Sequence, residues 1–337
     1  MTSFPEPKYT ASRVSAAGRR FRKGRATEDD MQVIENWRAS HAHVINTFQM
    51  TLRNRAKDKA KVGQRLKRRV TILDKVVREP NMALAAMNDV AGCRLIFETV
   101  DELYSFRDSL RLARMNSRRS VEKSKDYILH PKISGYRGVH EIYEYMGKPG
   151  FSTAYNGLHV EIQYRTSAQH AWATAVETAG MTSLNQPKFG RGDQDYLEFF
   201  RIASEIIART TEHRTSCLPE TSDSDLKNLL YKYEERTHLL SSLERLQTAA
   251  PVLDFKQNTI LMFSLEPETL GQLQTRSYES LTSAMRELSE LETKFEGKSD
   301  IVLVKSVDIP SLTYVYQNYF SNTSGFVDMV RDGVDSL

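Results

Sequence analysis

Apolar positions along the chain follow two rhythms, steps of three to four residues and strict alternation, and these mark out the elements. Val33, Trp37, Val44, Phe48 and Leu52 sit at helical spacing and predict one helix over 28–60. Thr27 is placed to cap it, and Glu28, Asp29 and Asp30 suit its positive N-terminal end. The Arg- and Lys-rich stretch from Gly63 to Val77 predicts a second helix, closed by Pro80 and Asn81. Residues 93–97 read as a short buried strand. Residues 101–115 read as a helix with Leu103, Phe106, Leu110 and Leu112 apolar. Residues 117–137 are basic, with Pro131 and Gly135 as breakers, and predict a loop. Strands follow at Val139–Tyr145 and Leu158–Tyr164, separated by a loop over 147–157. Helices are predicted at Ser167–Thr178 and Tyr196–Thr211.

A second pattern begins after residue 214. Residues 214–225 are polar and breaker-rich, as a linker would be, and Leu226–Leu246 is an amphipathic helix. Ile260–Leu265 and Ile301–Val304 predict strands. Between them Tyr278, Leu281, Met285, Leu288, Leu291 and Phe295 mark one helix face. Pro310 and the apolar positions Phe326, Val327 and Val330 predict short closing helices. The organisation read from this is an arm and helix over 1–60, an α/β domain over 61–215, a linker and helix over 216–250, and a C-terminal α/β domain over 251–337, regulatory in one reading. There is no internal repeat.

Composition narrows the class. The chain has 337 residues, 40% hydrophobic and 27% charged, which suits a soluble globular protein. No apolar run approaches the ~18 residues of a membrane span, and the N-terminus has no apolar signal core. Two cysteines, Cys93 and Cys217, exclude a disulfide framework and a four-thiolate zinc site, and a reducing cytoplasmic location is expected. Charge is lopsided. Residues 1–140 carry 29 Lys+Arg against 15 Asp+Glu, and the remainder 18 against 28. Residues 8–25 hold seven basic residues and no acid, and read as a mobile basic arm. Such a half needs nucleotide phosphates or nucleic acid, or must dock on the acidic half.

The strand 158–165 has the most chemistry. Period two puts Leu158, Val160, Ile162 and Tyr164 on one face and His159, Glu161, Gln163 and Arg165 on the other. A solvated edge strand has the same pattern. Asp89 precedes the strand at 93–97, and two acids on neighbouring strands are a common way to hold Mg²⁺ beside phosphates; alone, Asp89 could be a turn residue. Arg94, Lys132, Arg137 and the basic helix could supply positive charge to a triphosphate. Tyr136, after Gly135, could offer an exposed ring to a base or be a surface aromatic. Neither Gly-x-x-x-x-Gly-Lys-Ser/Thr, Gly-x-Gly-x-x-Gly nor Gly-x-Ser-x-Gly occurs.

Four motifs in order resemble the synthetase domain of the RelA/SpoT family, the alarmone synthetases of the stringent response. Arg65-x-Lys67-x-x-x-Thr71-Ile72-x-x-Lys75 resembles the family's ATP-side helix, with Thr where Ser is usual. Asp89-x-x-Gly92-x-Arg94 resembles its metal-binding motif. Lys125-Asp126-Tyr127-Ile128-x-x-Pro131-Lys132-x-x-Gly135-Tyr136-Arg137-x-x-His140 resembles its acceptor loop. Val160-Glu161-Ile162-Gln163-Tyr164-Arg165-Thr166 resembles its catalytic strand.

The resemblance covers about 60–215 and implies a mixed five-stranded sheet flanked by helices, an α/β fold, here extended by N-terminal helices and a smaller C-terminal α/β domain. It implies Mg²⁺-dependent transfer of pyrophosphate from ATP to a ribose 3′-hydroxyl of GDP or GTP, releasing AMP. Asp89 and Glu161 would bind Mg²⁺, and Glu161 would help deprotonate the hydroxyl. Arg65, Lys67, Thr71, Lys75 and Arg94 would hold ATP. Tyr136 would stack on the acceptor base, with Lys132, Arg137, His140 and Gln163 around the acceptor. The family's hydrolase domain has no counterpart here, so synthesis without degradation is implied. Trp172 and Glu177 resemble the small synthetases' version of the following helix. Toxic members that act on the tRNA 3′ end or make adenosine alarmones are an alternative, and a non-catalytic nucleotide sensor is another; intact Asp89 and Glu161 count against the sensor. A homo-oligomer and in-cis regulation by the C-terminal domain both stay open.

Overall fold

The computed structural model describes residues 4–113, 115–149, 151–181, 192–245, 258–305, 309–320 and 322–337. The predicted N-terminal helix is α2, Glu28–Ala56, and it starts on a capping box: the Thr27 hydroxyl accepts from the Asp30 N–H and the Asp30 carboxylate from the Thr27 N–H. The basic arm is not a free arm. It folds as α1, Ala11–Arg22, and three of its arginines have partners within the chain. Arg13 and Arg20 pair with the buried Asp30, and the Arg22 guanidinium donates to the carbonyls of Val76, Glu79 and Met82.

The second predicted helix is two elements. Lys61–Leu66 is strand β1 and only Arg69–Arg78 is helix α3. Antiparallel pairing with β2 (Ala91–Phe97) supplies the backbone partners that a helix would have supplied internally, and Val62, Gln64 and Leu66 bury their side chains. After α4, Val100–Arg111, the stretch expected to be a loop contains β3, Ser117–Asp126. This strand is polar at every position but the exposed Val121 because it forms the edge of the sheet, paired on one side only with β4, Val139–Tyr145. Its register shifts between Ser120 and Lys125. With β5, His159–Thr166, the sheet order is β1-β2-β5-β4-β3. Only β2 and β5 run parallel; the other neighbours are antiparallel.

One face of this sheet packs on α2 and α4 through Val160, Ile162, Tyr164, Leu95 and Phe97. Helices α5, Ser167–Met181, and α6, Gly192–Glu212, follow. Residues 214–225 run close against α6, where the Glu205 carboxylate accepts from the N–H groups of Ser216 and Leu218. The single helix expected over 226–246 is broken. Asp223–Thr237 is α7 and Leu239–Arg245 is α8, with His238 left-handed between them (φ +52°) and the Glu234 carboxylate accepting from the first N–H groups of α8. Residue 246 lies outside the described residues.

The C-terminal part holds a second, antiparallel sheet. Strands β6 (Asn258–Ser264) and β8 (Ser299–Lys305) were legible; the polar edge strand β7 (Leu273–Tyr278) was not. Helix α9, Leu281–Lys294, covers one face, which also meets α1 and α3. Leu312, Val315 and Tyr316, in and just after helix α10 (Ile309–Val315), cover the other. The last helix, α11 (Ser324–Ser336), returns to pack with α7 and α8 on α5 and α6. The charge asymmetry is partly resolved inside the chain: Arg38 on α2, and Arg68 and Arg69 at the start of α3, pair with Glu292, Asp300 and Glu296 respectively. Among the described residues no helix is long and apolar enough to cross a membrane.

Candidate active site

The polar face of β5 meets the polar faces of its neighbours. Register sets Glu161 beside Gly92 and Gln163 beside Arg94 on β2, while Arg65 and Gly63 on β1 lie beside Gly92 and Arg94. His140 on β4 lies beside Gln163. Because cross-strand partners share a face, these residues form one patch, and the alternation along 158–165 that predicted it holds. Gly63, Arg65, Asp89, Arg94, Glu161 and Gln163 line one cavity, with Glu177 of α5 opposite. Its free space is about 70 Å³, far below the roughly 300–1,000 Å³ of ordinary small-molecule sites. Val315 and Tyr316 form the remaining wall.

Asp89 sits in the turn before β2. Its carboxylate accepts from the Lys67 ammonium at 2.8 Å and the Lys75 ammonium at 3.2 Å, so α3 and the β1 end converge on it. Burial pushes the Asp89 carboxyl up, but the two lysines outweigh it and hold it below the ordinary carboxylate range. Glu161 behaves alike. Burial raises it, while the His140 imidazole (2.9 Å to Oε1) and the Gln163 amide (2.6 Å to Oε2) bring it below its usual value. Two carboxylates, one in the turn before β2 and one on the adjacent strand β5, are hard oxygen donors suited to a cation that keeps several waters and takes phosphate oxygens. Among the described residues no cluster of three or more His, Cys, Asp or Glu forms an all-protein cage.

The acceptor-loop residues divide. Tyr136 is half-buried rather than exposed, and its hydroxyl lies 2.5 Å from His140 Nε2 and 3.2 Å from an Arg165 nitrogen. Burial would raise the Tyr136 phenol, yet Arg165 and His140 pull it down to about 8. Gly135 fixes this placement. Its φ is +88°, and a Cβ there would come within 2.8 Å of the Ser204 side chain on α6. The Lys132 ammonium lies 4.5 Å from the Tyr127 ring centre and 5.2 Å from that of Tyr136. Arg137 is not brought to the cavity. It is 3% exposed and paired with Glu212 of α6, which also accepts from Thr166 and Gln169. Thr71 is also elsewhere, in a groove with Glu292, Phe295 and Ile301.

Sequence reasoning assigned no role to Val315, Tyr316 or Arg165. Arg165 had a signal, as the last polar position of the alternating strand. Tyr316 had none: its hydroxyl accepts from the Gln64 N–H at 3.0 Å and donates to the Gln64 carbonyl, 252 positions away.

A family profile described as "Region found in RelA / SpoT proteins" matches residues 64–181. The chain is 30% identical over 167 residues to the GTP pyrophosphokinase YjbM of Bacillus subtilis, covering 48% of this chain and 74% of that protein. It is 32% identical over 88 residues to the GTP pyrophosphokinase YwaC of the same organism, 26% of this chain and 40% of that one. Among solved structures, small alarmone synthetase 1 from Bacillus subtilis bound to its product pppGpp matches with 27% identity over 51% of this chain and 90% of that chain, at a TM-score of 0.42. The chain belongs to the RelA/SpoT family, with its synthetase region followed by a further sheet and helices.

Proposed function

We propose that this chain transfers pyrophosphate from ATP to the ribose 3′-hydroxyl of GDP or GTP, forming (p)ppGpp and AMP. The observation that carries the reading is the meeting of Asp89, from the turn before β2, and Glu161, on the neighbouring strand β5, at one cavity with Arg65 and Arg94. Two relatives named GTP pyrophosphokinase support the acceptor class. Glu161, held ionised by His140 and Gln163, is the base for the 3′-hydroxyl proton. Arg65, Lys67, Lys75 and Arg94 hold the triphosphate so that its β-phosphorus lies in line with that oxygen. In-line displacement needs alignment and charge neutralisation more than covalent chemistry. Asp89 and Glu161 would hold Mg²⁺, which supplies charge neutralisation on the phosphates when bound. Tyr136 and Lys132 offer a ring and a cation to the acceptor. Residues 309–316 restrain the donor side, a reading supported by Val315 and Tyr316 walling the cavity and by the Arg94 contact to the Val315 carbonyl.

The test is incubation of the purified chain with β-labelled ATP and each of GDP, GTP, an adenine nucleotide and tRNA, followed by chromatography. Label on the guanine nucleotide, with AMP released, is expected. Label only on tRNA or the adenine nucleotide, or AMP without a labelled acceptor, overturns the acceptor assignment.

A further inference from the structure

Four side chains form a single hydrogen-bonded line that ends on the cavity-lining Glu161: Arg165 to Tyr136 at 3.2 Å, Tyr136 to His140 Nε2 at 2.5 Å, and His140 Nδ1 to Glu161 Oε1 at 2.9 Å. Its ends fix its direction. A guanidinium can only donate and an ionised carboxylate can only accept. The Glu161 carboxylate therefore takes the Nδ1–H of His140, and in the neutral imidazole Nε2 is left to accept from the Tyr136 hydroxyl, which itself accepts from Arg165. The Gln163 amide takes the other carboxylate oxygen at 2.6 Å. Arg165 is 5% exposed and its Nε has no partner among the described residues, so its charge is directed into this line rather than into solvent.

We propose that Tyr136 has a second role, distinct from offering its ring to the acceptor base: its hydroxyl, backed by Arg165, is a positioning group that acts through His140 to fix the tautomer and orientation that hold the Glu161 carboxylate. The inference rests on the pyrophosphate-transfer reading for its kinetic consequence, but not for its geometry. A chain of this kind polarises along its length, so removing an early member loosens the last one. The loop carrying Tyr136 is held by Gly135 packed on α6, which makes the hydroxyl a fixed anchor.

Tyr136→Phe keeps the ring and removes only the hydroxyl. With saturating ATP and acceptor, kcat should fall about tenfold, while the acceptor KM stays within about twofold. In a His140→Asn background, where the amide can still donate toward Glu161 but the relay from Tyr136 is gone, the same Tyr136→Phe change should cost nothing further. An equal loss in both backgrounds means that Tyr136 acts independently of His140 and overturns the proposal, as does an unchanged kcat in the single variant. Nitrogen-15 spectra of histidine-labelled protein give a readout that needs no turnover. The His140 ring signal, identified by its loss in His140→Asn, should shift in Tyr136→Phe; a signal that stays in place overturns the proposal whatever the activity. A chain that transfers nothing to any acceptor, yet shows that shift, instead removes the transfer reading and leaves the hydrogen-bonded line intact.

Discussion

The Arg94 guanidinium donates to the carbonyl oxygen of Val315 at 3.3 Å, across 221 positions of chain. Arg94 is one of the cations expected to hold the triphosphate, and its donor is here directed at a backbone oxygen from the C-terminal part. Gly63 on β1 makes the approach close. A Cβ at that position would come within 2.2 Å of Val315 Cγ1, so only glycine lets α10 lie against the strand. Burial, with Arg165 nearby, lowers the Arg94 guanidinium to about 10. An anion in the cavity would therefore meet an unusually desolvated cation, provided that the C-terminal segment gives way.

Tyr316→Ala tests that proviso. It removes the hydroxyl that bridges the Gln64 N–H and carbonyl, and the ring that walls the cavity. Two lost hydrogen bonds at roughly 1 kcal/mol each, about 2 kcal/mol together, shift the segment's equilibrium by roughly thirtyfold. Affinity for a non-hydrolysable ATP analogue, measured by calorimetry, should rise by about that factor, and turnover with it. A chain cut after Arg214 is a poorer probe. It would bare Phe199, Phe200 and Ile206, which α7, α8 and α11 cover. A folded Tyr316→Ala protein that binds the analogue no better than the parent would separate this segment from nucleotide binding.

The five-stranded sheet was legible where side chains carry the signal. Alternation along 158–165 placed Glu161, Gln163 and Arg165 on one face, and the apolar partners Val160, Ile162 and Tyr164 are all fully buried. The strands β1, β3 and β7 were not legible. β1 is rich in Lys and Arg and adjoins a real helix, and the other two are polar sheet edges whose pairing is made by backbone groups. The site was legible only for residues near one another in the four motifs. Arg137 lies inside a motif, but its partner Glu212 is on a distant helix, so local pattern could not reveal its buried pairing. Tyr316 and Val315 reach the cavity through the docking of a second sheet, which no local periodicity encodes.

Glu161→Gln is nearly isosteric and can still accept from His140, but it carries no charge and cannot take a proton. Loss of a base together with an electrostatic stabiliser should lower kcat by about 10³-fold or more. Binding of the ATP analogue should change much less, because Arg65, Lys67, Lys75 and Arg94 are untouched. Single-turnover assays with labelled ATP measure the first, and calorimetry the second. Turnover near that of the parent would remove Glu161 from the chemistry.

Tyr136→Ala deletes the ring as well as the hydroxyl. Lost stacking is worth ~1–3 kcal/mol, so the acceptor KM should rise by roughly 5- to 150-fold while the KM for ATP barely moves. Steady-state kinetics with each substrate varied in turn decide it. Equal effects on the two substrates would place the ring between them rather than at the acceptor.

Arg38 and Glu292 form a buried ion pair between α2 and the C-terminal part, beside the bonds of Gln49, Arg53 and Asn46 to Lys305. The guanidinium is 1% exposed and donates to both carboxylate oxygens, at 2.8 and 3.0 Å, and to the Lys67 carbonyl at 2.8 Å. Burial pushes the Glu292 carboxyl up, and Arg38 does not fully offset it, so the pair is held at a cost in desolvation. Glu292→Ala leaves the arginine charge buried without its main partner and should lower unfolding free energy by about 3–5 kcal/mol, read from urea denaturation. Replacing both residues with apolar ones, Arg38→Met with Glu292→Leu, should recover most of that loss, because neither charge then needs desolvating. The Lys67 carbonyl loses its donor in the double variant, so Lys67 should hold Asp89 less firmly and ATP affinity should fall even where stability is restored. A Glu292→Ala protein destabilised by less than about 1 kcal/mol would mean that water reaches Arg38, and that this pair does not hold the C-terminal part to α2.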